Sequence, residues 1–200
     1  SCSDVIIDFT NSKGTLFLLN SIRKSSYKPA IISGTTGFSR VEDKKFLESI
    51  KGLKVLRSFN MSLGVNLMKS IVKTCSKNLV DLADIEIVEI HHNRKKDIPS
   101  GTAITLGESI KEGNEKSKKF TFREKNNDRV RVKNEIGFSS IRGGNVVGEH
   151  TVYFFMDGET IKLTHIASDR KVFSDGALRA ALWITKQKIG FYSTTDMLKI

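Results

Sequence analysis

Proline occurs twice in this 200-residue chain, cysteine twice and tryptophan once. Two thiols, Cys2 and Cys75, without metal-ligand spacing exclude a disulfide scaffold or a thiolate metal site; they fit inert thiols in a reducing cytoplasm. No run of about 18 apolar residues occurs, so no transmembrane helix is expected. The opening Ser1–Cys2–Ser3–Asp4 lacks the charged and apolar stretches of a signal peptide. It also lacks Met and runs straight into an apolar segment, so the expectation is a cytoplasmic protein that has lost upstream residues. Missing too is any G-x-G-x-x-G turn between a first strand and a helix, the element that cradles a dinucleotide pyrophosphate.

Cations are the one excess. With 33 Lys and Arg against 22 Asp and Glu the formal net charge is +11, a balance that raises nucleic acid as a partner. The segment Lys111–Lys133 alone holds nine cations and four anions. No aromatic interleaving, zinc spacing or helix-turn-helix pattern accompanies it, so it reads as a solvated lysine-biased surface, and neither a nucleic-acid site nor a metal site is expected. At 38% hydrophobic residues, 200 residues suffice for one domain or two small interlocked ones.

In chain order, the compact apolar run Asp4–Thr10 predicts a buried strand, and Ser12–Lys24 a helix with Leu16, Leu19 and Ile22 on one face. Ala30–Ser33 reads as a strand, Val41–Ile50 as a helix carrying Phe46, Leu47 and Ile50, and Lys54–Ser58 as a third strand. This β-α-β-α-β order is the grammar of a doubly wound, Rossmann-like parallel sheet, whose ligands bind beyond the carboxyl ends of the strands. The strand-end loops there are Phe9–Thr10, Gly34–Thr35–Thr36–Gly37 and Phe59–Asn60–Met61; the glycines suit close backbone approach to a ligand, and equally an ordinary tight turn. Leu63–Val80 follows as a helix with Leu67, Met68, Ile71, Val72 and Cys75 at helical spacing, a core pattern. Phe120–Phe122, Glu135–Ile141, Val146–Met156 and Thr160–Ile166 read as strands, the last two joined at Asp157–Gly158 as a hairpin, and Phe173–Lys188 as a final helix with Leu178, Ala181, Leu182 and Ile184. The second half is thus expected to be an α+β domain with an open mixed sheet, in which His150 and His165 are structural histidines. Val152, Phe154 and Phe155 fit either a subunit-association face or a plain core.

Between the strand Ile85–Ile90 and the helix Ala103–Ile110 lies a loop with two adjacent histidines, three cations and Pro99. Ser100 is a suitable N-cap, and Gly101 and Thr102 leave the first helical turn open. The helix amides and dipole then point at the cationic loop, an arrangement suited to a carboxylate or phosphate, with His91, His92 and Lys95 as proton donors. A polar, solvated loop is the plain alternative; the histidine pair, the lysine four residues after His91 and the Pro-Ser-Gly-Thr run together favour a site.

The pattern E-x-H-H-x-x-K-x-D-x-P-S-G-T-A, here Glu89, His91, His92, Lys95, Asp97, Pro99, Ser100, Gly101, Thr102 and Ala103, resembles the signature of the 4-hydroxy-tetrahydrodipicolinate (dihydrodipicolinate) reductase family. Gly137–Thr151 matches a second recurrent segment of that family. The resemblance implies NADH- or NADPH-dependent reduction of a small cyclic dicarboxylate in the diaminopimelate route to lysine. It implies catalytic roles for His91 and Lys95, which of them donates the proton being open, and substrate binding by His92, Ser100, Gly101 and Thr102. Cofactor contacts fall on Phe9, Thr10, Gly34, Thr35, Thr36, Ser58, Phe59, Asn60, Met61 and, near the domain crossover, Arg170. A cofactor domain of residues 1–62 and 170–200, a substrate and oligomerisation domain of residues 63–169, and a homotetramer are further implications. The family's glycine fingerprint is the element this chain departs from, so the first strand–helix unit is expected to be missing. A non-catalytic anion- or nucleic-acid-binding module on the same fold is the competing reading; binding of NADH and pyridine-2,6-dicarboxylate, set against salt-dependent DNA binding, separates the two.

Overall fold

The computed structural model describes residues 3–79, 81–114, 116, 119–123 and 129–200. Cys2, Val80 and parts of the basic segment lie outside them. The chain divides into two compact units, Ser1–Leu63 with Lys171–Ile200, and Gly64–Arg170.

The first unit holds a parallel sheet in the order β1 (Val5–Asp8), β2 (Ala30–Ser33), β3 (Lys54–Arg57) and β9 (Gly190–Tyr192). Successive side chains of a strand point to opposite faces, and here both faces are apolar. Ile31 and Val55 pack with Leu19 and Ile22 of α1 (Ser12–Lys24) and Phe46 of α2 (Arg40–Ser49). Ile32 and Leu56 pack with Ala177, Ala180 and Ile184 of α5 (Lys171–Ile184), and Met197 of α6 (Thr194–Leu198) packs against that cluster. Helices on both faces of a parallel sheet make this a doubly wound α/β unit.

The second unit holds a five-stranded mixed sheet, β5 (Lys119–Phe122), β6 (Glu135–Arg142), β4 (Asp84–His91), β7 (Gly148–Met156) and β8 (Glu159–Ala167), with β4 parallel to β6 and antiparallel to β7. One face carries Ile85, Ile87, Ile136, Phe138, Val152 and Phe154 and packs with Met68 and Val72 of α3 (Leu63–Leu79) and Ala103, Leu106 and Ile110 of α4 (Gly101–Gly113). The β7–β8 hairpin turns at Asp157–Gly158, where Gly158 takes φ +78.

Several sequence expectations are corrected. Strand β1 ends at Asp8 rather than Thr10, because the Asp8 carboxylate accepts the Thr10 amide and hydroxyl and turns the chain. Of the two readings left open for Val152, Phe154 and Phe155, the core holds for Val152 and Phe154, which are wholly buried under the helices, whereas Phe155 lies with Tyr153 on the opposite sheet face, their rings stacked at 5.1 Å. The last helix ends at Ile184, and Leu178 and Leu182 are exposed. It buries Gly176, Ala177 and Ala180 instead, since a Cβ at residue 176 would lie 1.9 Å from the Met61 carbonyl oxygen. Leu67 and Ile71, read as part of a core pattern, are exposed, as is Leu47. Strand β9 and helix α6 escaped the sequence reading.

Candidate active site

Strand β4 delivers the centre of the site. Its alternation places Glu89 and His91 on the same face as Ile85 and Ile87, and pairing sets Glu89 beside His150 of β7 and His91 beside Arg142 of β6. Glu89 is fully buried, and four groups converge on its carboxylate. Arg142 forks onto it, Nη1 to Oε2 at 2.9 Å and Nη2 to Oε1 at 2.6 Å. The Ser100 amide donates to Oε1 at 3.2 Å, and His91 Nδ1 lies 2.5 Å from Oε2. Burial alone would raise the Glu89 pKa; hydrogen bonds from Arg142, Ser140 and His91 outweigh it and hold the group ionised below its usual range. His91 is shifted down, by burial first, with Lys95 and Arg142 opposing the pull of Glu89.

Ser100 caps α4, its Oγ accepting the Ala103 amide at 3.1 Å. The same oxygen hydrogen-bonds His150 Nε2 at 2.8 Å. Burial, aided by the charge of His91, pushes the His150 pKa down to about 3. The His91 and His150 rings meet edge to face at 5.0 Å. His150 is buried and hydrogen-bonded, as a structural histidine should be, and it packs directly against His91. Ser100 is 2% exposed, its amide bonded to Glu89 and its hydroxyl to the Ala103 amide and His150.

Around this buried frame stand the more accessible groups. Lys95 Nζ pairs with Asp97 at 2.8 Å. The Asp97 carboxyl is held low first by Lys95, and the amide of Gly101 at the start of α4 contributes. The loop thus already stabilises a carboxylate with one ammonium and one helix-terminal amide. Gly101 is exposed, Thr102 half-buried, and His92 half-buried with a buried Nδ1 that has no hydrogen-bond partner among the described residues.

In the first unit, the predicted cofactor residues gather at the carboxyl ends of β1, β2 and β3. Two of them, Thr10 and Thr35, are held by Asp8, which sequence reasoning missed. Its carboxylate accepts from Thr10 Oγ1 (2.6 Å), Thr15 Oγ1 (2.5 Å) and Thr35 Oγ1 (3.3 Å). Burial would raise the Asp8 pKa, and these bonds together lower it. The Thr10 and Thr35 hydroxyls are therefore engaged internally, and Thr35 is buried whereas Thr36 is exposed. Phe9 is half exposed and lies on Gly34, where any Cβ would be 2.2 Å from the ring. Ser58 Oγ donates to the Asn60 carbonyl at 2.7 Å, Asn60 Oδ1 accepts the Ser62 amide at 2.9 Å, and the Met61 side chain is buried. Phe59 is exposed and stacks on Arg57, whose guanidinium sits 4.6 Å from its ring centroid. Arg170 is the last residue of the second unit.

Family models described as "Dihydrodipicolinate reductase, N-terminus" and "Dihydrodipicolinate reductase, C-terminus" match residues 1–61 and 64–198. The chain belongs to the dihydrodipicolinate reductase family. Relatives named 4-hydroxy-tetrahydrodipicolinate reductase include that of Rickettsia bellii, 45% identical over 98% of this chain and 76% of its own length. Those of Methanocorpusculum labreanum and Buchnera aphidicola are 44% and 41% identical, with 75% and 72% of their lengths covered. The solved structure of a dipicolinate-bound dihydrodipicolinate reductase from Paenisporosarcina sp. TG-14 shares the fold, with a TM-score of 0.76 at 20% identity, over 98% of this chain and 73% of that one.

Two cues in the sequence pointed to the missed residues. An acid at the end of an apolar strand, as at Asp8, needs partners to be buried. Glu89 and His91, two apart on a strand, must share a face. Arg142 carried no local cue; only the β4–β6 register brings it in.

Proposed function

We propose that this chain catalyses the NADH- or NADPH-dependent reduction of 4-hydroxy-tetrahydrodipicolinate to tetrahydrodipicolinate, in the cytoplasm, as a step toward diaminopimelate and lysine. The observation that carries the reading is the buried Arg142–Glu89–His91 arrangement beside Lys95 and the start of α4, in a chain of this family. The first-turn groups of α4, Gly101 and Thr102, with His92, take one substrate carboxylate, much as the loop holds Asp97. Lys95 and His91 handle the proton that accompanies reduction. The nicotinamide, when bound, supplies the hydride. Exposed Phe9, which packs over Gly34, together with Thr36 and Phe59, offers apolar and backbone contacts that suit its planar ring. The sheet face carrying Tyr153, Phe155 and Ile166 joins chains into a homotetramer.

The test is steady-state oxidation of NADH and NADPH by the purified protein with 4-hydroxy-tetrahydrodipicolinate. Substrate-dependent turnover inhibited by pyridine-2,6-dicarboxylate supports the reading; binding of dicarboxylate without turnover would favour a non-catalytic module.

A further inference from the structure

We infer that Glu89, clamped by Arg142, is the positioning residue for His91: it fixes the imidazole as the Nδ1–H tautomer and leaves Nε2 as the nitrogen that exchanges protons at the site. The inference rests on the reading of His91 as a proton-handling group and adds the two residues that set its state.

The geometry runs through one buried carboxylate. Arg142 donates twice to Glu89, so the acid is an ionised acceptor and the hydrogen in the 2.5 Å contact must sit on His91 Nδ1. The ring cannot turn toward another acceptor without leaving a buried anion short of a partner. Beside Nε2 stands Gly148: a Cβ there would lie 3.0 Å from Nε2, so glycine adds no side chain at that edge. The charged and titratable groups around His91 are Glu89 on its own strand, Arg142 on β6, His150 on β7 and Lys95 in the following loop. Of these only Glu89 accepts a hydrogen bond from the ring. The same carboxylate also receives the Ser100 amide, so one group orients the imidazole and anchors the start of α4, where the substrate carboxylate is proposed to bind.

Histidine-selective ¹⁵N labelling and a long-range ¹H–¹⁵N spectrum read the tautomer directly, the His91 signals being those lost in His91→Asn. The wild-type protein at neutral pH is expected to carry its proton on Nδ1. In Glu89→Gln the amide oxygen still faces Arg142 while the NH₂ donates to Nδ1, so the proton moves to Nε2. Turnover should then fall by about 10²–10⁴-fold, as when a carboxylate behind an imidazole becomes an amide. KM for the dicarboxylate should stay within about threefold, because Arg142 and Ser100 keep an acceptor oxygen. An Nε2–H tautomer in the wild type overturns the inference, whatever the folding of the variant. So does a Glu89→Gln enzyme with unchanged turnover, or one whose KM rises while kcat holds. A protein with the Nδ1–H tautomer but no reductase turnover would instead sink the proposed function and leave the assignment of Glu89 standing.

Discussion

Two buried carboxylates, one in each unit, make an instructive contrast. Asp8 closes β1 and Glu89 lies two residues before the end of β4; both lie almost wholly out of solvent, and both are held below the ordinary carboxylate range. Asp8 is satisfied by neutral donors, the Thr10 amide and the hydroxyls of Thr10, Thr15 and Thr35. Glu89 is satisfied by a guanidinium, an amide, an imidazole and the Ser140 hydroxyl. Hydroxyls do not titrate near neutrality, so the first arrangement can only shape loops. An imidazole does, so the second can manage a proton. The donor set, rather than burial or the direction of the pKa shift, separates the two carboxylates.

The widest gap between the two regions should open at the group in the proton-handling loop. Lys95→Ala is expected to cut kcat by about 10²–10⁴-fold, on the order of 3–5 kcal/mol, with cofactor affinity little changed. Steady-state rates beside fluorescence titration of NADPH check this; near-normal turnover would remove Lys95 from the chemistry.

Asp8→Asn probes the other carboxylate. Losing the charge from its bonds should cost about 3 kcal/mol of unfolding free energy, read as a lower denaturation midpoint, with a raised KM for cofactor and an unchanged KM for substrate. Effects confined to the substrate side would invert the contrast. Thr102→Val keeps shape and removes a hydroxyl, and a rise in substrate KM worth about 2 kcal/mol with cofactor KM steady is the expected outcome. Equal changes in both constants would make Thr102 structural.

The smallest effect is one of pH. His150 has a folded pKa of about 3, depressed from the ordinary histidine value near 6.5. The unfolded chain therefore binds a proton that the folded one refuses between those values, and stability falls as pH drops through that window. His91 and His165 are depressed too and add to the slope. Asp8 and Glu89, depressed acids, contribute stability above about pH 4 that is lost only on further acidification. His150→Gln should flatten the pH 4–6.5 slope by up to about 1.4 kcal/mol per pH unit. Chemical denaturation at several pH values measures it, and parallel slopes for both proteins would contradict the neutral assignment.

Much of this was legible in the residues. The β1 to β3 strands and α1 to α4 followed from apolar periodicity and, for α4, from the Ser100 cap, which makes its hydrogen bond locally. What escaped depended on partners distant in sequence. The run Val152–Tyr153–Phe154–Phe155 is apolar without interruption, so only its pairing with β4 decides that Val152 and Phe154 face the helices. Helix α5 misled because its large residues, Leu178 and Leu182, suggested the wrong inner face; contact with the Met61 backbone selects the small one. Strand β9, three residues long, adds to the sheet edge only because β3 is there to receive it. In the site, the loop was visible as chemistry, whereas Arg142 and His150 enter through strand register.

Calorimetric titration of pyridine-2,6-dicarboxylate into the wild type, Thr102→Val and Asp8→Asn puts the central claim to its most direct test, that the start of α4 is the dicarboxylate site and the Asp8 region is not. The account expects one site per chain, affinity at least about tenfold weaker in Thr102→Val, and affinity within about twofold of wild type in Asp8→Asn. Unchanged affinity in Thr102→Val, or an equal loss in Asp8→Asn with its fold intact, would contradict it.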